Sequence, residues 1–267
     1  MADNMKKFKK NLHIFFLLSK YSLVTTIQTK MAAVLFTIAK LLRFGMFFFF
    51  IYYLVAHTKT IKGYSVDQAL IFFLTFNIID SLSQAFFREV YRFRQMVISG
   101  ELNTVLVKPY PVLLRVLVGG VDVIDVVISL GYVALAVYMI SVSSGFGVIS
   151  LLAYVGLIIN SLVLATAFHI GVLGFAIMTT DVDHSILIYR DLTSAGRFPL
   201  DIYKEPLRSF LTFIVPVGVM MSFPSQALFG KLNLLQGVVG IALSFTTLWL
   251  SVLFWKSSLK KYQSWGG

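Results

Sequence analysis

Long apolar stretches broken by short basic or polar ones run through the whole chain. A membrane-spanning helix needs about 20 mostly apolar residues. Stretches of that kind cover roughly Ala33 to Ala56, Val66 to Phe87, Val116 to Val142, Val148 to Met178 and Val238 to Trp255. A short turn, Ser143 to Gly147, separates the third from the fourth. Leu207 to Phe229 is also apolar but is broken by Pro216 and Pro224. Near the N-terminus, Phe8, Leu12, Phe15, Phe16 and Leu23 recur at roughly helical spacing among basic residues. That pattern predicts an amphipathic helix lying on the membrane surface. Lys6, Lys7, Lys9 and Lys10 precede an apolar run, but Ser19-Lys20-Tyr21 offers no small-x-small cleavage site. The segment is therefore expected to stay in the mature protein.

Composition strengthens the pattern. Of 267 residues, 58% are hydrophobic and 13% charged, with mean hydropathy +0.84. Soluble domains carry about 25% charged residues, and a soluble fold of this length cannot hide so much apolar surface. A soluble enzyme, a secreted module and a disordered chain are excluded. The expected fold class is an all-α integral membrane protein with six transmembrane helices and an N-terminal amphipathic interfacial helix. Residues 1–267 form one transmembrane domain. Within it lie the amphipathic segment 1–31, a polar loop at 88–115 and a polar segment at 179–208. Lys40 and Arg43, in the first half of the first span, are expected to snorkel to the inner interface.

Charge sets the orientation. The net charge is +11, from 23 Lys+Arg against 12 Asp+Glu. No basic run interleaves with aromatics in a polar domain, so nucleic acid is not expected as a partner. With both termini cytoplasmic, 20 Lys+Arg fall inside and Lys59, Lys62 and Lys231 outside, a strong positive-inside bias. Two placements of 179–208 remain. Hydropathy favours Leu207–Phe229 as the fifth span, leaving 179–208 cytoplasmic. In the other placement a polar fifth span covers about Val182 to Pro199. Leu200–Phe229 is then an external membrane-dipping hairpin, possible only where protein shelters its broken backbone.

The chemistry-bearing residues are few. There is no cysteine, and His13, His57, His169 and His184 are scattered, so no metal site is expected. GxxxxGK[ST], GxSxG and HExxH are absent, so nucleotide-driven work would need another polypeptide. Asp181 and Asp183 pair closely in sequence without a partner base. Asp80 lies inside the second span, and Asp122 and Asp125 share a face at the start of the third. A carboxylate in lipid needs a partner or a watery cavity. Lys40, Arg43, Arg88 and Arg115 are the candidate partners, for a salt bridge, a helix cap or a gate that breaks during a cycle. Phe47–Phe50 and Tyr52–Tyr53 read as lipid-facing and interfacial. Phe72, Phe73, Phe76, Phe86 and Phe87 default to lipid contact or line an apolar path. Trp249, Trp255 and Trp265 read as anchors.

The loop after the second span is the most informative stretch. Val90, Phe93 and Val97 fall on one helical face, and Arg88, Arg92 and Gln95 on another. Gly100 ends that helix. Leu102, Val105 and Leu106 make a second short apolar face before Pro109 and Pro111. Such a helix-turn-helix either anchors the loop at the interface or docks a partner.

Here the chain resembles a family. Ser99-Gly100-Glu101-Leu102 with Leu106-Val107-Lys108-Pro109 is similar to a signature of ABC-2 type permeases, and closest to their six-helix branch. A second block is Gly196-Arg197-Phe198-Pro199-Leu200-Asp201-Ile202-Tyr203, Pro206-Leu207-Arg208, Phe213-Ile214-Val215-Pro216-Val217 and Phe223-Pro224. The resemblance implies a permease without a cofactor of its own, in a prokaryotic plasma membrane. It would dimerise with a like or sibling permease and sit on two ATP-binding subunits that hold ATP and Mg. Arg88 to Glu101 would be the coupling helix, with Arg88, Arg92, Phe93, Gly100, Glu101, Leu102, Lys108 and Pro109 as ATPase-coupling residues. The block residues Gly196, Arg197, Pro199, Pro206, Arg208, Pro216 and Pro224 would build a fifth span and an external re-entrant hairpin. The leading expectation is therefore an ATP-driven exporter subunit. The alternatives are an ion-coupled carrier or channel using Asp80, Asp122 and Asp125, and a membrane scaffold or lipid-modifying enzyme.

Overall fold

The structure is a computed structural model describing residues 2–58, 60, 63–143, 145–179 and 182–262. Lys59, Lys62, Ser144, Asp181 and Trp265, and the side chains of Lys7, Phe8 and Asp183, lie outside the described residues. The chain is all-helical, and no strand occurs among the described residues. Its elements are α1 (Ala2–Gln28), α2 (Lys30–Thr58), α3 (Val66–Phe87), α4 (Phe93–Ile98), α5 (Glu101–Leu106) and α6 (Val112–Leu117). There follow α7 (Val123–Val142), α8 (Val148–Thr179), α9 (Val182–Ser194), the bent pair α10 (Leu207–Ile214) and α11 (Gly218–Leu228), and α12 (Leu234–Lys260). Five helices, α2, α3, α7, α8 and α12, are long and apolar enough to cross a membrane. The bent pair passes the same test of length and composition only when its two limbs are joined, so the all-α fold class holds, with five to six candidate spans.

Local sequence explains the helix ends. Ser65 caps α3 in a reciprocal capping box with Gln68, and Asn233 does the same for α12 with Gln236. Each box satisfies two backbone donors that would otherwise be left open. Asp122 caps α7 by accepting from Ile124 N (3.0 Å) and Asp125 N (3.3 Å). The third span therefore starts later than hydropathy suggests. The turn at Gly119 and Gly120, both with positive φ, and the Asp122 cap cut off Val112–Leu117 as a separate helix.

α3 is the inner post of the bundle. Ala69 to Phe76 are all buried, between α2, α7, α8 and the α10–α11 hairpin. Phe72, Phe73, Phe76 and Phe87 pack in protein, which corrects the expectation of lipid contact or a substrate path. On α2, Phe47 and Phe48 pack against the α3 side while Phe49 and Phe50 face outward. Trp255 is buried against Phe93, so it holds the loop to α12 instead of anchoring in the interface. α1 meets protein through Ile14, Phe15 and Leu18 and turns Leu12, Phe16 and Leu23 outward. The one predicted apolar face thus divides between the protein and the outer surface of the bundle.

The bundle has two ends. One carries α1 and the 88–121 loop, where Tyr262 OH donates to Asn103 Oδ1 (3.1 Å) and Lys10 Nζ to the Pro109 carbonyl (3.0 Å). At the other end, Tyr64 OH donates to Asp201 Oδ2 (2.7 Å) and Lys231 Nζ to the Gly63 carbonyl (3.1 Å). Residues 182–203 thus run from the loop end to the opposite end. The hydropathic placement, with 179–208 held at the loop end and Leu207–Phe229 spanning, is overturned. Hydropathy counts residue polarity and cannot see shelter. Arg197 lies over the rings of Phe47 (4.8 Å) and Phe76 (5.5 Å), so protein covers its charge along the way.

The α10–α11 pair bends by 83° at the break beside Pro216, which has no N–H to continue a helix. Protein takes up the irregular backbone that lipid could not. Ser161 Oγ donates to the Met220 carbonyl at 2.6 Å. Ser225 Oγ donates to Thr75 Oγ1 (3.0 Å), which also meets Tyr154 OH (2.9 Å), tying α11, α3 and α8. Asn160 Nδ2 donates to Ser244 Oγ (2.9 Å), joining α8 to α12. Gly196 lets the chain pass close to the hairpin, since a Cβ there would meet Met221 Cβ at 2.5 Å. Such close approach is what small residues provide between membrane helices. Replacing Gly196 with Ala is expected to destabilise the detergent-solubilised protein by about 1–3 kcal/mol through overpacking. An unchanged thermal midpoint would remove this account of Gly196.

Candidate functional site

The loop between α3 and α7 forms as its periodicity predicts. After α3, a 3-10 turn (Arg88–Arg92) leads into α4. Ser99 and Gly100 close α4, and Gly100 takes φ +73°, the left-handed region that favours glycine. Val90, Phe93, Met96, Val97, Leu102 and Val105 are all buried, in one core with α8, α12 and Trp255. Arg92, Gln95, Ser99, Glu101, Lys108 and Pro109 lie on the exposed side. Phe93 and Leu102 are fully buried. Within the expected coupling set these two face the core and hold the loop in place.

Glu89 and Arg115 fasten the two limbs of this loop. Arg115 Nη1 donates to Glu89 Oε1 at 2.5 Å, and its Nη2 lies 3.6 Å from Glu101 Oε1. Arg115 thus serves the loop and not the aspartates. A Cβ on Gly119 would meet the Glu89 side chain at 2.5 Å, so the turn into α7 closes directly over that pair. Sequence spacing carries no sign of this contact, because its partners are 26 and 30 residues apart.

The predicted intramembrane charges come together where α3 ends and α7 begins. Arg88 pairs with Asp122 and lies 3.7 Å from Asp125 Oδ2. Lys40 pairs with Asp125 and donates to Gln84 Oε1 at 3.3 Å. Lys40 therefore turns inward to a carboxylate instead of snorkelling. Asp80 accepts from Gln84 Nε2 at 2.8 Å, and Arg190, Arg43 and Lys40 are the cations acting on it. Asp122 is both helix cap and salt-bridge partner, roles that sequence alone presents as alternatives. Apart from Asp80, these groups border a cavity of about 500 Å3 that also takes in Tyr91, Arg92 and the hydroxyl residues Ser22, Thr25, Thr26 and Thr29 of α1. Arg190 enters from α9, more than 60 residues from any other member. Only the tertiary path of 182–203 brings it there.

At the opposite end, Asp201 gathers three neighbours. Besides Tyr64 it accepts from Gln226 Nε2 (2.9 Å) and pairs with Arg208 Nη2 (2.7 Å), while Lys231 Nζ lies 3.5 Å from the Tyr64 ring centroid. Burial, with the Asp201 carboxylate next, raises the Tyr64 hydroxyl pKa above its ordinary value, so Tyr64 stays a donor. Of the block residues, Gly196, Pro199, Pro216 and Pro224 are buried around the hairpin, Arg197 is half-buried, and Pro206 and Arg208 are exposed at this end. Among the described residues no three His, Asp or Glu side chains converge on a metal geometry.

Replacing Asp122 with Asn is expected to cost roughly 2–4 kcal/mol. That is less than for a fully buried pair, because the Arg88 side chain remains 40% exposed. In a double-mutant cycle with Arg88→Gln, the second change should add little. Strict additivity of the two losses in detergent unfolding would show that the pair carries no coupling.

Residues 41–266 match the family model described as ABC-2 family transporter protein. No curated protein matches the chain.

Proposed function

The chain belongs to the ABC-2 family of transporter proteins, and we propose that it is the permease subunit of an ATP-driven exporter whose nucleotide is hydrolysed on a separate subunit. It is a multi-pass membrane protein with five to six candidate spans, and the family implies an ATP-binding partner in general. In this proposal two ATP-binding subunits and a second permease, like or sibling, complete the assembly. Both termini and the 88–121 loop face the cytoplasm, in keeping with the positive-inside bias.

One observation carries the reading. The apolar faces of α4 and α5 are sunk in the same core as α8 and α12, and their outer side is polar except for Ile98. A helix that only anchored the loop would turn its apolar face to lipid. This arrangement instead suits a rigid lever, with a polar surface for a partner and an inner face locked to the spans. ATP binding and hydrolysis on the partner supply the driving force. Movement of Arg92, Glu101, Lys108 and Pro109 with the partner is transmitted through Phe93, Leu102 and Trp255 to α12, and through Arg88 to α7. Such a shift requires contacts that differ between two states, and the loop surface is where this chain would make them. The Arg88–Asp122 and Lys40–Asp125 pairs are the natural gate, since they join α2, α3 and α7 at the cytoplasmic side. Asp122 and Asp125 are each closed on a cation, which weighs against an ion-coupled carrier.

Purification from native membranes in mild detergent is expected to bring down a P-loop ATPase in stoichiometric amount, identified by mass spectrometry. Its absence after gentle crosslinking would sink the proposal. Gly100→Ala, which strains a left-handed residue by about 1 kcal/mol, and Glu101→Gln, which loosens Arg115, should keep the fold but uncouple ATP hydrolysis from transport. Normal coupling in both variants would remove the lever from the mechanism.

A further inference from the structure

The cavity beside Asp122 and Asp125 holds more positive charge than its ion pairs use. Lys40, Arg43, Arg88, Arg92 and Arg190 line it, five cations against the two carboxylates. Lys40 and Arg88 are taken by those carboxylates, and Arg92 leans to Glu89 at 3.8 Å. Arg43 and Arg190 close no contact ion pair among the described residues. They share the field of one carboxylate, Asp80, with Lys40 and with a third arginine, Arg197. Arg43 and Arg190 are both exposed side chains on the cavity wall, and two guanidinium groups open to one cavity without a contact carboxylate suit an anion. About 500 Å3 is the size of a small-molecule site.

The remaining walls narrow the chemistry. Thr25, Thr26 and Thr29 on α1 each donate their hydroxyl to a carbonyl of their own helix, at 2.9, 3.0 and 3.1 Å. Toward the cavity they offer lone pairs, which accept from hydroxyls on a ligand. Ala32, Ala33, Phe36 and Ala39 form an apolar rim on α2, where Val34, Leu35 and Phe36 are exposed at the bundle surface. Guanidinium groups suit a phosphate, hydroxyl acceptors suit a polyol, and the apolar rim suits an acyl chain entering sideways from the bilayer.

We infer that this cavity binds a phosphate ester bearing free hydroxyls, with Arg43 and Arg190 as the phosphate-binding groups and the chain of a polyol phospholipid along α2. The inference does not depend on an ATPase, a transport cycle or the coupling role of the loop, so it stands or falls apart from the proposed function.

The test is thermal unfolding of the purified protein in mixed micelles containing phosphatidylglycerol or phosphatidylcholine, or with glycerol 3-phosphate added to lipid-free micelles. Phosphatidylglycerol should raise the midpoint saturably and phosphatidylcholine should not. R43Q/R190Q should weaken the effect by about a hundredfold in concentration, roughly tenfold for each guanidinium removed. R43K/R190K, which keeps the charge, should retain most of it. If R43Q/R190Q does not fold, R190Q alone gives the same readout at about tenfold. Protection by glycerol 3-phosphate that is lost in the Gln variants would support the site with a soluble ligand as its source. Protection by neither compound, equal protection by phosphatidylcholine, or protection undiminished in the Gln variants would overturn the inference.

Discussion

Arg88 leaves α3 where the apolar span ends, and its guanidinium closes on Asp122 at the first residue before α7. Between these two positions the chain makes the whole excursion of α4, α5 and α6. The Asp122 N–H also donates to the Ala85 carbonyl at 2.9 Å, so the excursion returns to within one turn of where it left. A charge at this depth is tolerated only with its partner in place. The pairing therefore fixes where the loop must close, and with it which surface the loop can present. Lys40 extends the same constraint to α2 through Asp125.

Hydrogen bonding supplies the second constraint. In lipid no backbone group can be left to water, yet the α10–α11 hairpin breaks its helix beside Pro216. The break survives because Ser161 of α8 meets the Met220 carbonyl, and because Thr75 of α3, with Tyr154 of α8 behind it, meets the hairpin's own Ser225. The polar end of that hairpin is held by Asp201, shared among Tyr64, Gln226 and Arg208. The two ends of the bundle thus differ in kind. One is an ionic joint beneath a basic cavity, and the other a hydrogen-bonded clasp over a re-entrant turn. Residues 182–203 connect them; on that connection Arg190 lines the cavity and Arg197 lies over Phe47 and Phe76.

Together these features suit a molecule that passes force from one surface to its interior. The loop's apolar face is continuous with the core of α8 and α12, so displacement at Glu101 or Lys108 has no soft layer to dissipate in. The cavity borders the same ionic joint and takes in Arg43 and Arg190 beside the paired Lys40 and Arg88.

Much of this was legible in the chain itself. Apolar length placed α2, α3, α7, α8 and α12, because crossing a membrane is a requirement on consecutive residues and needs no knowledge of neighbours. The amphipathic period of 90–106 located the loop helices and their buried faces, and Gly100 their break, since those are local demands on backbone and side-chain direction. What sequence could not decide was anything that depends on shelter. The polar run 182–203 reads as unfit for the membrane until Phe47 and Phe76 are seen to cover Arg197. The apolar run 207–229 reads as a span until its prolines are seen to turn it back. Arg190 came to the cavity, Arg115 joined Glu89, and Trp255 turned inward for the same reason. The free energy of a charge or a broken helix is set by what surrounds it, and the surroundings are assembled only by the tertiary fold.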